Sequence, residues 1–196
     1  EMNRVTENEL YLDEAAAQII SHAEFLQDPA TSLFRHAWDA GAAEYLSTSY
    51  WARGNSWNMI ASAQLLDALP VTHPLRSDIV TIAQAQAEAL VGRQADSGLW
   101  HTVVDRPMFY LESSGSAGIT YGLLRGVQAG WLPSRLEANV RAAELALWRK
   151  VSSNGTLTDV SGPTGPMRHE AGYDAIPHET MQLYGQGMGL LALSPQ

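Results

Sequence analysis

A threefold recurrence of one helical pattern constrains this chain more than any other feature. Leu12, Ala16, Ile19, Ala23 and Leu26 mark one amphipathic helix, Ile79, Ile82, Ala83 and Leu90 a second, and Leu136, Val140, Ala143 and Leu147 a third. Each is followed by a polar turn: QDPATSLFRH at 27–36, QADSGLWH at 94–101 and SSNGTLTD at 152–159, with Leu33, Leu99 and Leu157 in equivalent places. Beyond each turn and a long loop lies a more apolar partner, at 55–69, 116–130 and 178–194, rich in Ala, Gly, Met and Leu. The repeat is roughly 60 residues long, and such units bury their faces only by stacking side by side. The expectation is an all-α chain of about three helical hairpins, charged helices outside and apolar ones inside, curved as part of an α/α toroid.

Finer signals agree. Pro70 and Pro74 bracket the connection to the second outer helix, and Leu132-Pro133-Ser134 introduces the third. Gly118, Gly122 and Gly126 recur at intervals of four along one inner helix. Each glycine costs about 1 kcal/mol relative to alanine in a helix, so the row calls for close approach of neighbouring helices. The loops at 36–54, 100–115 and 158–177 all fall at one rim, where a site is expected.

The 196 residues, 45% hydrophobic and 17% charged, suffice for one ordinary domain or part of a larger one. A net charge of −9 with a pI near 5.0 argues against nucleic acid or an anionic membrane as main partner. An anionic ligand would have to be caught by a local cation. There is no cysteine, which removes disulfides and thiolate chemistry and fits either redox compartment, a cytoplasmic setting being expected ahead of a secreted one. No zinc-like spacing joins His36, His101, His169 and His178, and neither a metal nor a cofactor is expected. The chain opens with Glu1, which suggests a cut or processed start.

One rim segment, HAWDAGAAEYLSTSYWARGNSW at 36–57, crowds aromatic, cationic and carboxamide groups together. Trp38, Tyr45, Tyr50, Trp51 and Trp57 offer flat apolar faces, Arg53 a planar fork for a carboxylate, and His36 and Asn55 further hydrogen-bonding groups. This is suitable chemistry for an acidic sugar. Packing of the tryptophans onto the core stands beside that reading, although a buried Arg53 would require an anionic partner.

HAWD at 36–39, WARGNSW at 51–57, DSGLWHTVVD at 96–105, YLESSGSA at 110–117 and PHETMQLYGQG at 177–187 resemble the unsaturated rhamnogalacturonyl hydrolases, glycoside hydrolase family 105, relatives of the family 88 unsaturated glucuronyl hydrolases. The likeness runs from YLDEA at 11–15 to the last helix. It implies an (α/α)6 barrel acting on pectin (rhamnogalacturonan) oligosaccharides that end in an unsaturated uronic acid, by hydration of the C4=C5 double bond. It also implies substrate binding by His36, Trp51, Arg53 and Trp57, with Trp38, Glu112 and His178 at the rim. Helix capping or packing competes with catalysis for Glu112 and His178, and Asp39 is expected to fix its own loop.

The family's acid/base aspartate belongs to a motif preceding the segment matched here, and no such motif occurs in this chain. No catalytic residue is therefore assigned; Asp13 does not take the role. The resemblance implies that the chain is a single domain, the C-terminal part of a barrel; three hairpins of a closed toroid leave two open apolar flanks, which another chain is expected to cover. An inactive carbohydrate-binding or structural relative is the alternative, and a toroidal polysaccharide lyase or epimerase using Tyr110 and His101 a further one.

Overall fold

The computed structural model describes residues 2–194. Its helices are α1 (Met2–Thr6), α2 (Leu10–Leu26), α3 (Ala52–Ala68), α4 (Arg76–Val91), α5 (Ser113–Gln128), α6 (Glu137–Trp148), α7 (Ala171–Asp174) and α8 (Leu183–Leu193). The long ones follow one another in the expected outer–inner order, α2 then α3, α4 then α5 and α6 then α8. The inner helices pack in the order α3, α5, α8; α2 and α4 lie against α3, and α6 against α5 and α8. No helix among the described residues is long and apolar enough to cross a membrane.

The three polar turns close alike. Gln27 bridges Phe34 and Val151 bridges Leu157, while the Ala95 N–H donates to the Leu99 carbonyl. Leu33, Leu99 and Leu157 are all buried in the main core, so the pattern seen in sequence marks one structural position used three times. Gly98 adopts φ +95, and a Cβ there would lie 2.4 Å from the Ala142 carbonyl oxygen. That turn therefore excludes a side chain on two grounds, backbone conformation and space.

The glycine row of α5 meets its neighbours closely. A Cβ on Gly118 would lie 2.7 Å from Met188 on α8 and 2.8 Å from Ser56 on α3, and one on Gly122 2.7 Å from Met59. Gly126 differs, facing Leu132 and Trp131 of the following connection. Burial is consequently uneven across the inner layer. The first eleven residues of α5, Ser113 to Leu123, are all buried, whereas Leu183 and Leu190 of α8 are 82% and 67% exposed. Inner helices buried on most sides describe α5 but not α8, which packs against α5 and α6.

Two details depart from expectation. The rim segment contains a two-stranded antiparallel ribbon, β1 (Ala37–Asp39) with β2 (Glu44–Ser47). The last inner helix begins at Leu183 rather than 178, because Thr180 is held extended by an antiparallel bridge to Val160. The rim loops are stitched together by further backbone bonds, Ala52 N–H to Thr102 O at 2.9 Å and Ser113 N–H to Asp159 O at 3.0 Å.

Candidate functional site

The rim residues fall into two layers. In the lower one, Arg53, in the first turn of α3, is 3% exposed. Its Nη1 donates to Ser114 Oγ at 3.0 Å, Ser161 O at 3.1 Å and Ser161 Oγ at 3.0 Å, and its Nη2 donates to Gly162 O at 2.8 Å and Thr164 Oγ1 at 3.1 Å. Trp51 and Tyr184 cover the guanidinium, with ring centroids 4.7 and 4.6 Å away. The carboxylate of Glu112 stands 3.6 Å from Nη1. The fork expected to grip a substrate carboxylate is thus taken up by the protein, and the anion that its burial requires is Glu112.

Glu112 is itself fully buried and caps α5, accepting from the Ser114 N–H at 3.2 Å, Ser114 Oγ at 2.7 Å, the Gly115 N–H at 2.5 Å and the Ser161 N–H at 3.0 Å. These donors satisfy the carboxylate at the helix N-terminus. Arg53 and Glu112 together tie α3, α5 and the 161–164 loop into one node.

Above this node lies a cavity of about 240 Å³ between α2 and α3, lined by His22, Arg35, His36, Trp57 and Asn58 among others. Trp57 is 45% exposed and gives it an aromatic wall. His36 packs against Trp51 at a tilt of 39°, with ring centroids 4.3 Å apart, and its Nδ1 is hydrogen-bonded to the Tyr173 hydroxyl. Burial, then the positive charge of Arg53, depress the His36 pKa from its ordinary 6.5 to about 4. At neutral pH this imidazole is uncharged.

The other expected site residues lie elsewhere. Trp51 is 7% exposed beneath His36, so it supports the histidine instead of offering a sugar-stacking face. Trp38 packs edge-on to Tyr45 at 4.9 Å and against Phe25 at 5.7 Å, and His178 stacks flat on Tyr110 at 3.8 Å; neither lines the cavity. Asn55 is fully buried, accepting from the Phe34 N–H at 2.9 Å and donating to the Phe34 carbonyl at 2.9 Å and that of Trp51 at 3.1 Å, a staple between turn and helix. Asp39 accepts from the N–H groups of Gly41 and Ala42 within its own loop. His36 and Trp57 are brought together at the cavity.

Several contributors gave no signal in the sequence. Tyr173 lies far from the aromatic rim segment, in a four-residue helix, yet reaches His36. Asp28, in the first polar turn, accepts from the Tyr50 hydroxyl and from Arg35 Nη2 at 2.5 Å, which fixes Arg35 at the cavity wall; the Tyr50 bond is the largest of the effects holding its pKa below the ordinary value. Among the described residues no acidic side chain lines the cavity, and no three His, Asp or Glu side chains converge as metal ligands do.

The sequence model of Glycosyl Hydrolase Family 88 matches residues 1–195. The chain belongs to this family. It is 38% identical over 193 residues to the unsaturated rhamnogalacturonyl hydrolase YesR of Bacillus subtilis (strain 168), covering 98% of this chain and 54% of YesR. A solved structure from Salmonella enterica serovar Paratyphi A, described as a possible member of the GH105 family, superposes with TM-score 0.92 at 33% identity, over 97% of this chain and 51% of that one. The unsaturated glucuronyl hydrolase of Bacillus sp. GL1 shares the fold, with TM-score 0.69 at 17% identity over 97% of this chain and 53% of that one. The family 88 chain described here therefore spans about half the length of the relatives it matches. Its all-α, toroid-type architecture is theirs.

Proposed function

We propose that this chain contributes the sugar-binding rim of a glycoside hydrolase that acts on pectin oligosaccharides ending in an unsaturated uronic acid. The observation that carries this reading is the pairing of His36 with the exposed face of Trp57 in one cavity, in a chain 38% identical to an unsaturated rhamnogalacturonyl hydrolase. Trp57 supplies a stacking face for a sugar ring and His36 a hydrogen bond to one of its oxygens. The reaction needs one acid to protonate C4 of the vinyl ether, after which water adds at C5 and the resulting hemiketal opens and expels the remaining sugar. No carboxylate lines the cavity, so that acid is assigned to residues other than the cavity walls named here. The exposed apolar side chains of α8 support a second proposal, that further helical hairpins or another chain cover this flank.

The test adds unsaturated rhamnogalacturonan disaccharide to the purified chain and follows tryptophan fluorescence together with loss of the double-bond ultraviolet absorbance. Saturable quenching that disappears in Trp57→Ala supports the reading; a folded protein without saturable binding overturns it. Loss of absorbance on binding would show that this chain also carries the acid and would exclude the alternative, a carbohydrate-binding relative, which the absence of a carboxylate from the cavity lining motivates.

A further inference from the structure

We propose that Tyr173 is a positioning residue that holds His36 in its Nε2–H tautomer, so that a neutral imidazole presents a hydrogen-bond donor to an acceptor oxygen of the ligand. The first half of this proposal stands on hydrogen-bond accounting alone. The second rests on the acidic-sugar reading above.

The Tyr173 hydroxyl is fully enclosed and meets three partners: the Met167 N–H at 3.1 Å, Ser47 Oγ at 2.9 Å and His36 Nδ1. Met167 can only donate, so the phenolic oxygen accepts there. Its single proton then goes either to His36 or to Ser47. Ser47 is buried, and among the described residues the only hydrogen-bond partner of its hydroxyl besides Tyr173 is the Ser49 N–H, at 3.4 Å, which is also a donor. Were Tyr173 to donate to Ser47, the serine proton would be left without an acceptor inside the protein. Unmet buried donors are costly, so the network runs the other way. Ser47 donates to Tyr173, Tyr173 donates to His36 Nδ1, and the ring proton of His36 sits on Nε2.

Two further features agree. The imidazole stays uncharged near neutral pH because it is half-buried and close to the Arg53 guanidinium, so one ring nitrogen accepts and the other donates. His36 lines the cavity while Nε2 makes no hydrogen bond among the described residues, which leaves its donor for a ligand. An N–H donor suits an oxygen that only accepts, such as a uronate carboxylate, and a neutral one recognises it without proton transfer. The role expected of Arg53 passes in part to this group.

The experiment is long-range proton–nitrogen NMR on the ring-labelled histidines of the intact chain at pH 7. Wild type is expected to show His36 as a single Nε2–H tautomer with an unprotonated Nδ1. Ser47→Ala should leave that pattern in place, because serine only donates into the network. Tyr173→Phe, checked for fold by circular dichroism, should lose it and show exchange between tautomers. An Nδ1–H tautomer in wild type, or a switch of tautomer in Ser47→Ala, would overturn the assignment. Saturating unsaturated rhamnogalacturonan disaccharide should shift the Nε2 resonance, and Tyr173→Phe should weaken binding about tenfold. If fluorescence reports binding and Nε2 does not move, the ligand-donor half is wrong. If no binding occurs while the Nε2–H tautomer holds, the acidic-sugar reading fails and the tautomer assignment stands.

Discussion

The Arg53–Glu112 node and the His36–Trp57 cavity share one rim and use similar residue types, yet they treat polar groups oppositely. In the node, both guanidinium Nη atoms and both carboxylate oxygens are hydrogen-bonded to groups of the protein itself, and the residues are buried. At the cavity, Trp57 is half exposed and Nε2 of His36 makes no hydrogen bond among the described residues. A strong ligand-binding group that the fold has already used is a keystone; a weaker one left open is available to bind. The buried ion pair thus tells where the rim is rigid, and the open histidine and tryptophan tell where it can recognise something.

Breaking the node should produce the largest effect. Arg53→Ala leaves Glu112 buried without its cation, and urea unfolding should show a loss on the order of 3–5 kcal/mol. Overpacking the glycine row comes next. Gly118→Ala places a methyl group 2.7 Å from Met188 and 2.8 Å from Ser56, and should cost about 1–3 kcal/mol, read by the same titration.

The cavity should respond differently. His36 takes up its proton at about pH 4 in the folded protein, well below its ordinary 6.5. Between those values the unfolded chain binds the extra proton, so this group's contribution to stability is lost progressively as pH falls from about 6.5 to about 4 and changes little below that. His36→Gln should flatten that slope in urea titrations across the window. The histidine is partly exposed, which reduces the size of the effect but not its sign. Trp57→Ala should change stability by less than about 1 kcal/mol, while disaccharide affinity falls at least about tenfold, as calorimetry would report. Smallest of all, removing the exposed Arg141–Glu137 pair on α6 should leave the melting temperature unchanged.

The parts legible in the sequence are those set by neighbours along the chain. Leu33, Leu99 and Leu157 announced three equivalent turns because each follows a helix-period run and a polar reversal, and the Gly118–Gly122 row announced close helix packing. The ribbon at β1 and β2 was not legible, being only 3 and 4 residues long without a strong alternating pattern. Nor was the fate of Arg53. Its partners Ser114, Ser161, Gly162 and Thr164 lie 61, 108, 109 and 111 residues away, so local chemistry showed that the guanidinium needed partners but not who supplied them. Tyr173 was hidden for the same reason, 137 residues from His36.

The most direct test of the division between a closed node and an open cavity is a double-mutant cycle on Arg53→Met and Glu112→Gln, measured by urea unfolding. Each single change should be strongly destabilising because it leaves its partner alone in the interior. The double variant should lose less than the sum, giving a coupling energy above about 1 kcal/mol. Additive losses, with Arg53→Met as stable as wild type, would contradict the keystone role and return Arg53 to the ligand.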